Sequence, residues 1–408
     1  MMDLKNMTDG AMALHHNGAV ETGIPYPARL EAILGADLCA EAQTAISAWP
    51  GYAPTPLHLL DGLADQLGVG AIYYKDEGPR FGLGSFKALG GAYAVLKLLA
   101  RELRDPGGVH LCEGRIAKGL HADQASAVTV VTATDGNHGR SVAWGARMFG
   151  AACRIYMHAG VSPGRAKAVE ALGAKVVWVD GNYDASVREA AQDAADNGWH
   201  IVSDTSYPGY MDLPRHVMAG YSVMVAEVIE QLPRDAAPTH VFLQGGVGGL
   251  AGAVTAALWH HYGAARPRVI VVEPDRAPCL YRSAVEGRPV AVEIVEETIM
   301  AGLSCGEVSL LAWDILAAGA DDFMTVSDSW IAPLMRGLAN PASDRPVVAG
   351  ESAVAGLAGL AAASQSAATA WALGLDRSSR ILVIGTEGAT DPAIYEAIVG
   401  RPPQEIAA

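Results

Sequence analysis

Short apolar segments alternate with helical patterns in two parts of the chain. In the first part, β-branched runs at residues 128–132, 153–157 and 176–179 are separated by amphipathic stretches at 137–149 and 163–172. In the second part, apolar runs at 240–243, 269–273 and 381–384 accompany a helical stretch at 251–262. Strands that alternate with helices in this way are typical of βαβ units around a parallel sheet. The pattern therefore predicts an α/β fold with two domains.

The expected fold class is a pair of doubly wound, open-sheet α/β domains. We place the smaller domain at residues 90–216 and the larger one at 1–89 together with 217–408. Ser162 and Pro163 form a good helix start, because serine caps a helix and proline suits its first position, and Gly173 suits its end. Residues 280–310 and 325–350 are rich in Gly, Pro and charge, so we expect loops there.

Composition narrows the class of protein. The 408 residues are too many for one core of ordinary size, which agrees with two domains. Half of the residues are hydrophobic, but no apolar run reaches the length of about 18 residues that spans a bilayer. The first residues lack the apolar stretch of a signal peptide. We therefore expect a cytoplasmic protein without a membrane partner.

The net charge and the cysteine content argue against several kinds of partner and site. A formal net charge of −15 disfavours nucleic acid and anionic membranes as partners, since both bind basic patches. The five cysteines are odd in number and form no Cys-x-x-Cys pair, so neither a disulfide scaffold nor a metal site is expected. A small molecule is the partner that fits.

Lys87 is the first candidate for chemistry. It stands in the segment Gly82-Leu83-Gly84-Ser85-Phe86-Lys87-Ala88-Leu89-Gly90-Gly91, ahead of a helical stretch at 92–103. A lysine at the end of such a loop can place its amine in a cleft, where partial burial favours the neutral, nucleophilic form. The alternative is an ordinary solvated lysine, because most lysines are exposed.

A turn after the apolar run at 128–133 offers several backbone N–H groups to an anion. It reads Thr134-Asp135-Gly136-Asn137-His138-Gly139 and precedes a helix, so a substrate carboxylate can bind there. Asp135 would repel that carboxylate unless it faces a cation or acts as an acid or base. Otherwise Asp135 is a helix cap.

Two later segments are candidates for binding a cofactor. The turn Gln244-Gly245-Gly246-Val247-Gly248-Gly249-Leu250-Ala251-Gly252 lies between a strand and a helix, an arrangement that binds phosphate. It also satisfies a dinucleotide fingerprint, with Glu273 about where a ribose-binding acid lies, so an NAD-dependent oxidoreductase stays open. Thr386, in Ile384-Gly385-Thr386-Glu387-Gly388, follows the last strand at the edge where α/β sheets bind ligands, with a plain turn as the alternative.

Taken in order, these segments resemble the fold type II enzymes that use pyridoxal 5'-phosphate (PLP), the tryptophan synthase β-like group. That group carries Ser-x-Lys or Ser-Phe-Lys, a Gly-Asn-His turn, a glycine-rich phosphate loop and a strand-end Ser, Thr or Cys. Here these features stand at Lys87, Asn137, residues 245–249 and Thr386. The resemblance implies that PLP lies in the cleft between two domains. The dinucleotide interpretation explains only the glycine-rich turn.

Within this group the chain resembles the diaminopropionate ammonia-lyase family over roughly residues 40–400. The resemblance is carried by Tyr74-Lys75-Asp76-Glu77, Arg80-Phe81-Gly82-Leu83, the turn at 134–139, Ser203-Asp204-Thr205, Gly209-Tyr210, Met218-Ala219-Gly220-Tyr221, Met300-Ala301-Gly302-Leu303, Cys305-Gly306-Glu307 and Thr386-Glu387-Gly388. The chain departs from the family pattern at Gly84-Ser85, which stands for Asn-Ala, at Tyr207-Pro208, which stands for Trp-Glu, and at Ala389, which stands for Asp. Tyr207-Pro208 lies close to Asp204 in the sequence, where a change can alter the substrate pocket. The resemblance therefore predicts the reaction type more firmly than the substrate.

The resemblance implies roles for individual residues. Lys87 forms the Schiff base with PLP and acts as a base. Asp135 takes the Cα proton from the opposite face, so that both enantiomers react, and either Asp135 or Asp204 binds the β-ammonium group. The other implied cofactor contacts are Phe86, Asn137, Gly245, Gly246, Val247, Gly248, Gly249 and Thr386. The implied substrate contacts are Thr134, Asp135, Gly136, His138 and Asp204.

The implied reaction is the PLP-dependent α,β-elimination of ammonia from D- or L-2,3-diaminopropionate, which gives pyruvate and ammonia. A PLP-dependent serine or threonine dehydratase is the alternative with the same cofactor. We also expect a homodimer. The resemblance further suggests that Cys279 and Cys305 lie near one another and can pair, although a cytoplasmic location favours free thiols.

Overall fold

The computed structural model describes residues 12–134, 136–340 and 344–406. Its strands are β1 (Met12–His16), β2 (Leu57–Leu59), β3 (Ala71–Asp76), β4 (Thr129–Ala133), β5 (Ala152–His158), β6 (Lys175–Val179), β7 (His200–Ile201), β8 (His240–Gln244), β9 (Arg268–Pro274), β10 (Asp322–Val326) and β11 (Arg380–Gly385).

Helices connect most of these strands. They are α1 (Ala28–Leu34), α2 (Ala36–Ser47), α3 (Asp61–Leu67), α4 (Lys87–Glu102), α5 (Glu113–Ala117), α6 (Ala122–Ala125), α7 (Asn137–Phe149), α8 (Pro163–Glu170), α9 (Tyr183–Asn197), α10 (Asp212–Gln231), α11 (Gly249–Tyr262), α12 (Cys279–Glu286), α13 (Leu310–Gly319), α14 (Ile331–Leu338), α15 (Ala355–Gln365), α16 (Ala367–Leu373), α17 (Pro392–Val399) and α18 (Pro403–Ile406). In the described part of the chain, none of them has the length and hydropathy that a bilayer-spanning helix needs.

The described residues divide into two compact units. The larger unit takes its residues from Met1–Ala36, Pro54–Ser85 and Met224–Ala408, and the smaller one from Asp37–Ala53 and Phe86–Val223. The domain boundaries expected from the sequence stay a prediction.

The larger unit is built on a seven-stranded sheet with the order β1-β10-β9-β8-β11-β3-β2. The five inner strands are parallel, and β1 and β2 pair antiparallel at the two edges. All five residues of β8 and of β10 are buried, as expected of strands covered on both faces. Because β8 and β11 are parallel neighbours, the residues that follow them meet at one edge of the sheet.

The smaller unit has a four-stranded parallel sheet with the order β6-β5-β4-β7. Successive side chains of β5 point to opposite faces of the sheet. Ile155 therefore packs in one apolar cluster with Ala143 of α7, whereas Tyr156 packs in another with Ala190 of α9. Helices thus cover both faces, and the predicted doubly wound α/β fold is confirmed.

Local sequence predicted some helix ends correctly and failed to predict some helices. The Ser162 hydroxyl accepts a hydrogen bond from the Arg165 amide, as expected of a cap, and Gly173 has a φ of +87°. The loops expected at 280–310 and 325–350 are partly wrong, because α12, β10 and α14 lie in or overlap these ranges. Pro333 falls in the first turn of α14, where a missing N–H costs no helical hydrogen bond, so it does not mark a loop.

Candidate active site

Lys87 is the first residue of α4, which begins earlier than the expected position 92. The helix runs through Gly90 and Gly91, and these two glycines allow close packing. A Cβ on Gly90 would lie 2.4 Å from Tyr221 Cε1, and one on Gly91 would lie 2.5 Å from Ser141 Oγ. Tertiary packing therefore outweighs the low helix propensity of glycine, and the lysine stands on a rigid helix rather than at the end of a loop.

The Lys87 side chain is mostly buried, with 21% of it exposed, so it is not an ordinary solvated lysine. Its Nζ donates a hydrogen bond to the carboxylate of Asp204 and forms an ion pair with it. The ring centroids of Phe86 and Tyr221 lie 5.4 Å and 5.9 Å from Nζ, within the range of cation–π attraction. The fold thus brings together the predicted residues Phe86, Lys87 and Asp204.

Asp204 is held as a carboxylate. Burial alone would raise the pKa of Asp204, but the positive charge of Lys87 and the hydrogen bond from its amine outweigh burial and hold that pKa well below its usual range. A negative charge is therefore present beside the lysine at neutral and mildly acidic pH.

His138 places a second hydrogen-bond acceptor beside the same carboxylate. Its Nε2 lies 2.9 Å from the carbonyl oxygen of Val202, which can only accept, so Nε2 carries the ring proton. Burial lowers the pKa of His138, against the opposing charge of Asp204, so the ring is neutral and Nδ1 keeps its lone pair. This Nδ1 lies 3.8 Å from Asp204 Oδ2 and has no hydrogen-bond partner among the described residues.

The predicted anion-binding turn joins β4 to α7. The Thr134 hydroxyl oxygen accepts hydrogen bonds from the amides of Gly136, at 3.1 Å, and Gly139, at 3.4 Å. Asn137 is the first residue of α7. Asp135, the predicted second base, lies outside the described residues.

The glycine-rich turn of the larger unit forms a cradle for an anion at the start of α11. The amides of Gly246, Val247, Gly248 and Gly249 have no acceptor within the described part of the chain. The amide of Gly245 is different, because it donates to Val272 O at 2.7 Å and is not free for a phosphate. The predicted phosphate-binding amides, those of residues 245–249, are therefore reduced to the four of residues 246–249. A phosphate with its several oxygens fits this turn.

Gly245 has a packing role instead. A Cβ at this position would lie 2.7 Å from Glu273 Cγ and 2.9 Å from Val271 Cγ1, so only glycine fits. Gly248 has a φ of +97°, which side-chain-bearing residues rarely adopt.

Thr386 follows β11 and is buried. Its Oγ1 lies 3.3 Å from Nε2 of Gln244, and no described residue accepts its proton. A neutral hydroxyl with a free proton fits the pyridine nitrogen of PLP, which is an acceptor when it is unprotonated. Within the larger unit, the four amides and this hydroxyl are thus chemically suited to the phosphate and the ring nitrogen of the cofactor. Within the smaller unit, the Lys87 amine is chemically suited to its aldehyde.

Comparison with known proteins points to the same cofactor. Residues 48–387 match the family described as pyridoxal-phosphate dependent enzymes. The chain belongs to this family.

Within the PLP-dependent enzymes the chain is similar to diaminopropionate ammonia-lyases. It is 43% identical over 355 residues to the diaminopropionate ammonia-lyase of Escherichia coli (strain K12), which covers 86% of this chain and 88% of that enzyme. The structure of holo diaminopropionate ammonia lyase from Escherichia coli has a TM-score of 0.87 and 39% identity, covering 95% of this chain and 97% of that chain. The structure of the Escherichia coli enzyme in complex with D-serine has a TM-score of 0.85 and 39% identity, covering 96% and 97%. The predicted fold type II and the resemblance to this lyase are confirmed.

The dinucleotide alternative is wrong for this member of the PLP-dependent family. Glu273 Oε1 accepts a hydrogen bond from the Leu280 amide at 2.8 Å, and Oε2 accepts one from the Tyr281 amide at 2.6 Å. Both oxygens are thus used at the start of α12, and neither is free for a ribose. The fingerprint misleads because a strand, a glycine-rich turn and a helix bind any phosphate in the same way.

Cys279 and Cys305 both border Gly246. The thiol of Cys279 lies 3.4 Å from Gly246 O, and a Cβ on Gly246 would lie 3.3 Å from Cys305 Sγ. Burial raises the pKa of the Cys279 thiol, and the charges of Glu273 and Cys305 raise it further. The predicted proximity is confirmed, and neither cysteine is in a disulfide bond in the structure.

Two tyrosines of the site were missed from the sequence. The Tyr210 hydroxyl accepts a hydrogen bond from the Ser203 amide at 3.0 Å and donates one to Ile201 O at 2.9 Å, so it holds the segment that carries Asp204. The ring of Tyr221 flanks Lys87. Both belong to segments that carry the family resemblance, but only their contacts reveal what they do.

Proposed function

We propose that this chain is a PLP-dependent lyase that eliminates ammonia from 2,3-diaminopropionate and yields pyruvate and ammonia. The observation that carries the proposal is an ionised carboxylate, Asp204, which contacts the amine of Lys87 and faces the Nδ1 lone pair of His138. The 43% identity to a diaminopropionate ammonia-lyase over 86% of the chain supports the same reaction.

Bound PLP supplies an electron-withdrawing ring that stabilises negative charge at the substrate Cα. Lys87 holds the cofactor covalently and, once its amine is free, takes the Cα proton. Asp135 is the proposed base on the opposite face. Because Lys87 stands on the first turn of α4, its amine approaches the substrate from a fixed direction.

Asp204 and His138 are the proposed recognition pair for the β-ammonium group. The carboxylate supplies a negative charge, and the neutral imidazole supplies a second acceptor at Nδ1. An ammonium group has three donor protons and a positive charge, so it satisfies both partners, whereas a hydroxyl has one proton and no charge. When the Cβ–N bond breaks, the nitrogen keeps the bonding electron pair and leaves as neutral ammonia. The remaining enamine is hydrolysed by water to pyruvate and a second ammonia.

The remaining predicted cofactor contacts are part of the proposal. The amides of residues 246–249 bind the phosphate, Thr386 donates to the ring nitrogen, and Phe86 and Asn137 contact the ring. The free amides and the free hydroxyl proton support these assignments.

Pyruvate release from the holoenzyme tests the substrate. We expect turnover of diaminopropionate to exceed that of D-serine and L-serine. Asp204→Asn should lower kcat/KM for diaminopropionate by about 10²-fold or more, as expected for loss of a partly buried charge partner, and should change kcat/KM for serine less. Lys87→Ala should abolish turnover while PLP still binds weakly.

The matched control is Asp212→Asn, which removes an exposed carboxylate of the same unit. Its kinetics should equal those of the wild type. Preference for serine would contradict the proposal and favour a dehydratase. Serine is the necessary comparison because the Escherichia coli enzyme forms a complex with D-serine.

We further propose that the enzyme acts in the cytoplasm as a homodimer. The five cysteines, none of which is in a disulfide bond, are compatible with a reducing compartment. Sedimentation of the holoenzyme at two concentrations measures the assembly, and a single species of about 42 kDa would contradict a dimer.

A further inference from the structure

Gln244, the last residue of β8, is a buried amide whose orientation is fixed by its neighbours. Its side-chain nitrogen Nε2 lies 2.5 Å from Ile384 O and 3.1 Å from Ala353 O. Both neighbours are carbonyl oxygens, which can only accept. The nitrogen, rather than the oxygen, of the amide therefore faces this side.

The same nitrogen lies 3.3 Å from the hydroxyl oxygen of Thr386. An amide nitrogen has no lone pair to accept a proton, so the Thr386 proton must point away from Gln244. No described residue accepts that proton. The Thr386 hydroxyl is thus left as a donor toward a ligand.

Only the nitrogen of the Gln244 side-chain amide has hydrogen-bond partners among the described residues. Its Oε1 is buried without a hydrogen-bond partner among the described residues, an arrangement that is unfavourable because a buried acceptor loses its hydrogen bonds to water. An apolar residue of similar shape would avoid this cost. A buried polar group that is kept at such a cost calls for an explanation.

We propose that Gln244 is a positioning residue that sets the Thr386 hydroxyl as a hydrogen-bond donor to the ring nitrogen of PLP. A hydroxyl that donates needs an unprotonated nitrogen as its acceptor. Gln244 therefore keeps the ring nitrogen neutral and suits the site to elimination rather than transamination. This inference rests on the proposed role of PLP, and it adds the residue that decides the direction of one hydrogen bond.

The experiment compares the binding of two cofactors to the apoenzyme. One is PLP, and the other is the analogue in which C–H replaces the ring nitrogen. The wild type should bind PLP about tenfold more tightly, which is the worth of one hydrogen bond. In Gln244→Met the carbonyl oxygens of Ala353 and Ile384 lose their donor, and the amide no longer keeps the Thr386 proton turned away from residue 244. The preference for PLP should then fall to about twofold or less.

Two controls accompany this comparison. Thr386→Ser keeps a hydroxyl and should keep the tenfold preference. Gln66→Met makes the same replacement on α3, away from the strand ends, and should bind both cofactors like the wild type. An unchanged preference in Gln244→Met would overturn the inference, because the hydroxyl would then be directed without the amide.

The nitrogen-15 resonance of ring-labelled PLP gives a second readout that needs no folded variant. In the wild type we expect the chemical shift of an unprotonated, hydrogen-bonded ring nitrogen. The shift of a protonated ring would overturn the inference even if Gln244→Met does not fold. Failure of the apoenzyme to bind PLP at all would instead overturn the proposed function, so the two failures are distinguishable.

Discussion

Replacing Arg80 by Met tests how a buried network of charges supports the segment that leads to Lys87. The guanidinium of Arg80 lies 2.7 Å from carboxylate oxygens of both Glu77 and Glu227, and Lys75 Nζ lies 2.6 Å from Glu227. All four side chains are at least 98% buried. Two positive and two negative charges thus balance, and Arg80 begins the turn that continues toward Lys87.

The expected loss in the free energy of unfolding of Arg80→Met follows from this balance of charges. Without Arg80, one ammonium faces two buried carboxylates, and removing one partner of a buried ion pair costs about 3–5 kcal/mol. The loss should also depend on pH. In the wild type, burial raises the pKa of Glu227, but Arg80 and Lys75 outweigh burial and lower it, so the network keeps its stabilisation from neutral pH down through mildly acidic pH. In Arg80→Met the folded pKa of one carboxyl should rise above its unfolded value of about 4.3.

A raised carboxyl pKa makes stability fall as pH rises between the unfolded and the folded pKa. The deficit of the variant should therefore shrink by about 1.4 kcal/mol for each unit by which the pH falls within that window. Urea unfolding of the apoenzyme, followed by circular dichroism at pH 7.5 and 5.5, measures both effects. Arg377→Met is the matched control, since its ion pair with Asp65 is exposed and should contribute less than about 1 kcal/mol. A deficit for Arg80→Met below about 1 kcal/mol, or the same deficit at both pH values, would refute the reasoning.

Three further substitutions have definite expected outcomes. Gly245→Ala would place a Cβ 2.7 Å from Glu273 Cγ and shift the phosphate turn, so an absorbance titration should show PLP affinity reduced by about tenfold or more; native affinity would contradict this. Gly220→Ala would place a Cβ 2.6 Å from the backbone oxygen of Leu89, so we expect a loss of about 1–3 kcal/mol in thermal or urea unfolding. An unchanged melting temperature would mean that the two helices separate without loss. Asp135→Asn should keep PLP bound but lower turnover of D-diaminopropionate by about 10²- to 10⁴-fold and that of the L-enantiomer less; equal losses would assign Asp135 to recognition of the β-ammonium group instead.

The sequence by itself determined the α/β class, most of the strands and the family. These features are local, because the period of apolar residues reports which face of a strand or helix is buried. The glycine-rich turn could likewise be predicted to bind phosphate, since strand, turn and helix follow one another directly. For Lys87 and Thr386 the local sequence left an ordinary solvated lysine and a plain turn as alternatives, and the ordered set of motifs favoured the functional interpretation.

Only the tertiary structure decided which distant residues meet. Asp204 pairs with Lys87 across 117 positions of the chain, and Gln244 lies against Thr386 across 142 positions. The second contact exists because β8 and β11 are neighbours in the sheet, an order that no local pattern encodes. The start of α4 at Lys87 was also hidden, because close packing at Gly90 and Gly91 outweighs the helix propensity of glycine. Side-chain direction, hydrogen-bond polarity and charge balance at the site all depend on such packing, and packing forms only when the whole chain is folded.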